Sequence, residues 1–195
     1  MIELCGRYYI DEETAVELQK IVANLDRKMN LAKYVGDVVP SAKAPVLIAH
    51  NTIVSLELLS WGLKNYYSNG LIINARAETV SEKKAFRDCL GARRCIIPAK
   101  GFYEWDESRN KFKFYNKNET VMYLAGLYDE ENRFVILTTK ANQSMEKVHP
   151  RMPVVLRNEW IKPWLMENKE TNYILNEVPP LLDSKTEMQQ MRLEF

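Results

Sequence analysis

The sequence predicts an α+β domain, mainly β, in which a curled mixed or antiparallel sheet forms a barrel-like core and helices lie at its periphery. Three observations point there. Short runs of β-branched and aromatic residues recur along the whole chain, bounded by Gly, Pro, Asn and Asp. These strand-like runs outnumber the helix-like ones. They also do not alternate regularly with helices, as a parallel α/β sheet would require. A length of 195 residues supports one sizeable core, so residues 1–195 are expected to form a single domain.

The run CGRYYI at 5–10 is the first strand. Asp11 or Thr14 then caps a helix whose apolar positions are Val16, Leu18, Ile21, Val22 and Leu25. Residues 29–43 are polar, contain Gly36 and Pro40, and read as loop. APVLIA at 44–49 is a strand, Asn51 and Thr52 turn the chain, and 53–61 is a second strand or a short helix. Residues 62–70 form an exposed loop, and 71–73 a very short strand leading into NARAET. A helix over 81–90 turns Phe86 and Leu90 inward. In RRCIIPAKGFYEW, at 93–105, Pro98 ends an apolar run and Gly101 allows a tight backbone before an aromatic strand. Residues 107–110 turn, and Phe112, Phe114 and Tyr115 mark the next strand. Strands at 121–127 and 133–139 are joined by a polar hairpin turn. Residues 141–148 read as a short helix, HPRMP at 149–153 as a rigid turn, and 154–156 as the start of a strand. Asn158 caps a helix through Trp160 and Trp164 that Pro163 kinks, and the tail after Glu177 shows little periodicity.

Composition narrows the function classes. A formal charge of +1 does not imply nucleic acid, but the charge is uneven. Residues 76–117 hold eleven Lys or Arg against six Asp or Glu, whereas 156–195 hold five against seven, so the middle of the chain can carry a basic surface. No apolar run is long enough to span a membrane, and the first ten residues lack the basic region and long apolar core of a signal peptide. A cytoplasmic protein with no membrane partner is therefore expected. Three cysteines at wide spacing and two histidines make neither a disulfide framework nor a metal site, and no cofactor is expected.

The stretch at 93–105 sets one carboxylate, Glu104, inside an aromatic strand. By alternation alone Glu104 lies on the solvated side of a half-buried strand. Buried among rings, its pKa would rise toward that of a general acid near neutral pH. Cys5 stands at a strand start beside Gly6 and Arg7; it is a small buried hydrophobe or a thiol activated by a guanidinium. Asn74 and Arg76 fall on one side of an extended segment, where they form either an ordinary turn or an amide and guanidinium able to grip a substrate. His149, held next to Pro150, is a turn histidine or a proton carrier. Trp61, Phe102, Tyr103 and Trp105 are core residues or platforms for bases, and Tyr66 and Tyr67 fit an exposed loop. The residues alone stop at a possible Cys/His/Glu site.

The sequence resembles the SOS-response-associated peptidase (SRAP) family. The matching pieces are CGRY at 5–8, WGL at 61–63, INARAET at 73–79, RRCIIPAKGFYEW at 93–105, AGLYD at 125–129, FVILTTKAN at 134–142 and HPRMPVVL at 149–156. They keep the family order and span nearly the whole chain. A monomer is expected, and the resemblance implies a protein that binds single-stranded DNA and crosslinks to the ring-opened sugar of an abasic site. It places the reacting cysteine at Cys5, with Asn74, Glu104 and His149 as the other catalytic residues and Arg7, Arg76 and Trp61 at the DNA-binding face. In the family this cysteine is exposed as the mature N-terminus. Here Met1, Ile2, Glu3 and Leu4 precede it, so its nitrogen is an amide until they are removed. Three expectations follow: a propeptide cleaved before Cys5, with autoproteolysis by Cys5 assisted by Glu104 and His149 as one route, an artificial or misassigned start site, or a member that binds DNA without crosslinking. A cysteine peptidase acting on other chains and a non-catalytic single-strand binder are the alternative functions.

Overall fold

The computed structural model describes residues 6–21, 30–50 and 53–187. From the N-terminus the elements are β1 (Tyr8–Ile10), α1 (Glu12–Ile21), β2 (Gly36–Val38), β3 (Lys43–His50), β4 (Ile53–Trp61), β5 (Leu63–Lys64), β6 (Leu71–Ile72) and β7 (Asn74–Arg76). Then come α2 (Lys84–Ala92), β8 (Arg94–Ala99), β9 (Gly101–Trp105), β10 (Lys111–Tyr115), β11 (Met122–Tyr128) and β12 (Arg133–Lys140). The last are β13 (Arg151–Pro153), β14 (Val155–Leu156), α3 (Ile161–Met166), α4 (Thr171–Asn176) and β15 (Asp183–Glu187). The fold is mixed α+β, with the helices outside the sheets.

The larger sheet runs β13-β12-β4-β3-β8-β11-β14 and is drawn into a ring by a second pairing between β11 and β12. The closure is uneven. β12 pairs with β4 only at Arg133 and Phe134, and β7 takes over the same parallel role from Ile136 to Thr138. β11 divides one edge between β12 and β14. The result is ring-like rather than a true barrel. Val46 of β3, Ile96 and Ile97 of β8, Leu124 of β11 and Leu137 of β12 are wholly buried in its core.

The smaller sheet, β15-β10-β9-β1-β2, is antiparallel throughout. Only Lys100 separates β8 from β9, so one stretch of chain passes from the ring into this sheet. Gly101 makes the crossing possible. A Cβ there would stand 2.2 Å from the Phe114 carbonyl oxygen and 2.7 Å from the Tyr9 ring. The inner face packs Tyr8, Phe102 and Phe114 against the ring, and Tyr8 meets Trp61 at a centroid distance of 5.3 Å.

Several expectations change. α1 buries Thr14, Ala15 and Leu18, while Val16 and Ile21 face water; Asp11 caps it by accepting from the Thr14 amide. Pro98 continues β8 instead of ending it. It lies past the last residues paired with β3, where that edge of the strand needs no donor. Residues 141–148 form successive turns, not a helix. HPRMP enters strand β13 at Arg151. The tail supplies β15, which pairs with β10 along its whole length, and 29–43 holds β2.

Candidate active site at the rim between the two sheets

Cys5 lies outside the described residues, which begin at Gly6 and Arg7. The Arg7 carbonyl accepts the Tyr103 amide at 2.9 Å, extending the β1–β9 ladder toward Glu104. Glu104 is fully buried, which overturns the solvated position expected from alternation. Its cross-strand partner is Phe112, so it belongs to the inner face, below the rim. Its Oε1 accepts the Trp105 amide at 3.3 Å. A carboxylate with no solvent access, set next to the strand that carries the N-terminus, is costly unless polar groups surround it.

Trp61 is also fully buried, as the core alternative for the tryptophans had it. Its ring lies between Tyr8 and Phe134, stacked nearly parallel on the latter at 6.1 Å. Its indole N–H donates to the Ile73 carbonyl at 3.0 Å. With no open ring face it cannot stack on a base in this conformation. It instead joins β1 to the residue just before Asn74. β7 then sets Asn74, half-buried, and Arg76, exposed, on one side, with Ala75 buried on the other. Between Trp61 and Asn74 the β5–β6 hairpin projects outward, and at its tip Tyr66 and Tyr67 are 84% and 100% exposed.

His149 faces the end of β9 across an open groove. A cavity of about 450 Å³ is lined by Trp105, Asp106, Glu146 and His149 among others. The Arg151 amide lies 3.1 Å from His149 Nδ1 and donates to it in the neutral tautomer that carries its proton on Nε2. The Arg151 carbonyl lies 3.2 Å from the same nitrogen, ready to accept from a protonated ring. Arg151 is itself anchored: it grips Glu78 in a bidentate pair at 2.6 and 2.9 Å and donates to the Thr138 carbonyl. That grip holds the Glu78 carboxyl below its ordinary pKa. This clasp joins the segment after Arg76 to the one after His149. Sequence reasoning did not find it, because partners 73 residues apart leave no local pattern.

Arg7 and Glu104 thus lie on or beside the paired strands β1 and β9, Asn74 and Arg76 on β7, and His149 across the groove from Trp105. Arg7 is engaged by Asp37 at 3.2 Å and remains partly exposed. A model of the SOS response associated peptidase (SRAP) family matches residues 4–193. The chain belongs to the SRAP family. Among SRAP relatives, the abasic site processing protein YoqW of Bacillus subtilis is 34% identical, over 91% of this chain and 87% of that protein. The abasic site processing protein YedK of Escherichia coli is 24% identical, over 84% of this chain and 80% of that one. The solved structure of a phage-related protein from Bordetella bronchiseptica shares the SRAP fold described here at a TM-score of 0.77, with 22% identity and 95% of each chain covered.

The two described cysteines stand apart from this rim in character. Cys95 is fully buried on β8, and desolvation raises its thiol pKa well above the ordinary value. Desolvation also raises the Cys89 thiol, against the opposing pull of Arg93. Neither is poised as a thiolate.

Proposed function

We propose that this protein captures abasic sites in single-stranded DNA by a covalent bond through Cys5, once residues 1–4 have been removed. The observation that carries the reading is Glu104, a wholly buried carboxylate on the strand paired with the N-terminal segment. The abasic-site processing named for the relatives supports it. A terminal α-amine has a pKa near 8, so part of it is neutral and nucleophilic at neutral pH. It attacks the sugar aldehyde to give a carbinolamine. Glu104 protonates the departing hydroxyl, which leaves as water, and an imine remains. The Cys5 thiol then adds to the imine carbon, its proton passes to nitrogen, and a thiazolidine closes. Asn74 holds the amine, His149 donates from Nε2 during opening of the deoxyribose ring, and Arg7 and Arg76 hold flanking phosphates. Trp61 acts from beneath, by fixing Tyr8 and Ile73. Tyr66 and Tyr67 offer open rings for the adjacent bases.

The test is the intact mass of cell-purified protein after incubation with an abasic oligonucleotide, together with its N-terminal sequence. The expected result is an adduct, stable to denaturation, on a chain beginning at Cys5. Cys5→Ala abolishes it, and Glu104→Gln slows its formation on the order of 10²-fold. A chain that keeps Met1 and still forms the adduct refutes the amine chemistry.

A further inference from the structure

The outer face of the five-stranded sheet carries a row of cations whose arrangement is unfavourable for stability alone. Tyr103 of β9 stands opposite Lys113 of β10, and Lys113 stands directly opposite Lys185 of β15. The Arg7 carbonyl bonds to the Tyr103 amide, so Arg7 lies at the other end of the same row. With strands about 4.8 Å apart, three steps place Arg7 and Lys185 about 14 Å from each other. Like charges directly opposite in a ladder destabilise it. Here they are also held in place. Lys113 Nζ sits 3.9 Å over the Tyr9 ring, Lys111 Nζ sits 3.9 Å over Tyr103, and Lys185 Nζ sits 5.9 Å from the Tyr115 centroid. The acidic groups on this face lie to either side of the row: Asp37 pairs with Arg7, Asp183 with Lys117, and Glu187 stands opposite Lys111 at the end of β15. The row starts at the rim of the candidate site, since Arg7 follows Gly6 and Trp105 ends the strand that carries Tyr103.

We propose that this face is a track for the phosphate backbone of the DNA strand flanking the abasic residue, leaving the rim past Arg7 and crossing Lys113 to Lys185. The proposal rests on the DNA-binding reading given above and specifies where the strand runs next. Lysines already laid over tyrosine rings have lost much of their rotamer freedom before binding, which lowers the entropic cost of each phosphate contact. A bound backbone would also relieve the repulsion between Lys113 and Lys185.

The experiment measures equilibrium binding of intact single-stranded oligonucleotides of increasing length against salt, with wild type and the double variant Lys113→Gln/Lys185→Gln. Each phosphate neutralised on a single strand contributes about 0.7 to the salt slope, so the variant's slope should fall by about 1.4. Over a fourfold rise in salt, wild type then loses about sevenfold more affinity than the variant. The difference should vanish on oligonucleotides too short to leave the rim, and Lys113→Arg/Lys185→Arg should restore it. Removing the like-charge pair should keep or raise the melting temperature; should the double variant not fold, Lys185→Gln alone reads half the change. Equal slopes for wild type and the Gln variant on long strands overturn the track. So does polyglutamate that binds wild type as tightly as DNA, since it marks an acidic-protein surface. Because the probe lacks an abasic site, the result is independent of the adduct. Absence of any adduct would refute the covalent chemistry while the slope still judges the track.

Discussion

Glu104 and Trp61 show how a single residue's role turns on its burial. Both lie in motifs whose chemistry looks exposed, and both have no solvent access. For Glu104, alternation misleads because both faces of β9 are covered, the outer one by Lys111 and Lys113 lying over tyrosines. For Trp61 the indole hydrogen bond to Ile73 satisfies the polar atom of a ring that is otherwise core. The cysteines yield a prediction at this scale. Burial keeps Cys89 and Cys95 protonated near neutral pH, since desolvation raises both thiols. Native protein treated briefly with iodoacetamide should therefore be modified at neither, and peptide mapping after denaturation should recover both unlabelled. Native labelling of Cys95 would show that β8 opens far more readily than its burial implies.

Among the elements, β9 decides most. It joins the ring to the second sheet, carries Glu104, and pairs with β1 and β10. Its first residue, Gly101, leaves no room for a Cβ between the Phe114 carbonyl and the Tyr9 ring. Gly101→Ala should therefore force β10 away from β9 and cost about 3 kcal/mol, the upper part of the overpacking range, read by denaturant unfolding. A cost below about 1 kcal/mol would mean the sheet accommodates the methyl by sliding. The strands with strong apolar runs, β3, β8, β11 and β12, were legible in the sequence because each is dictated by its own side chains. β15 and β13 were not. β15 consists of DSKTE and owes its strand state to the waiting edge of β10, while β13 owes its own to β12. The site residues were legible mainly through family resemblance: the β9–β10 pairing buries Glu104 and the groove sets His149 across from Trp105, and no local spacing encodes either placement.

For the molecule as a whole, pH dependence follows from two groups of shifts, carboxylates downward and thiols and phenols upward. Glu78 is held down by Arg151, Asp106 by Asn110, Glu131 by Lys64 and Asp183 by the Lys117 amide. A carboxylate with a depressed folded pKa contributes stability above its unfolded pKa, and that contribution is lost as pH falls through the folded value. Burial raises Cys89, Cys95, Tyr123 and Tyr128, so the folded state holds those protons more tightly and loses stability as pH rises through the thiol and phenol range. Melting temperature should therefore pass over a neutral plateau with an acid and an alkaline limb. Glu78→Gln should lower the plateau and flatten part of the acid limb, by under about 1 kcal/mol because the Glu78 side chain is 46% exposed. An acid limb unchanged by Glu78→Gln would show that the clasp contributes nothing to acid sensitivity.

The pairing of β1 with β9 also fixes a sequence of events during synthesis. Tyr8 and Tyr9 meet Phe102 and Gly101, more than ninety residues downstream. The first segment made can meet β2 early, but it meets β9 only after the middle of the chain exists. While the ribosome is still translating β8, Arg7 has no Tyr103 to bond and Glu104 does not yet exist. A nascent chain therefore leaves the tunnel with its front end chemically unassembled. Any reactivity housed there begins only when the middle of the protein has been made and folded.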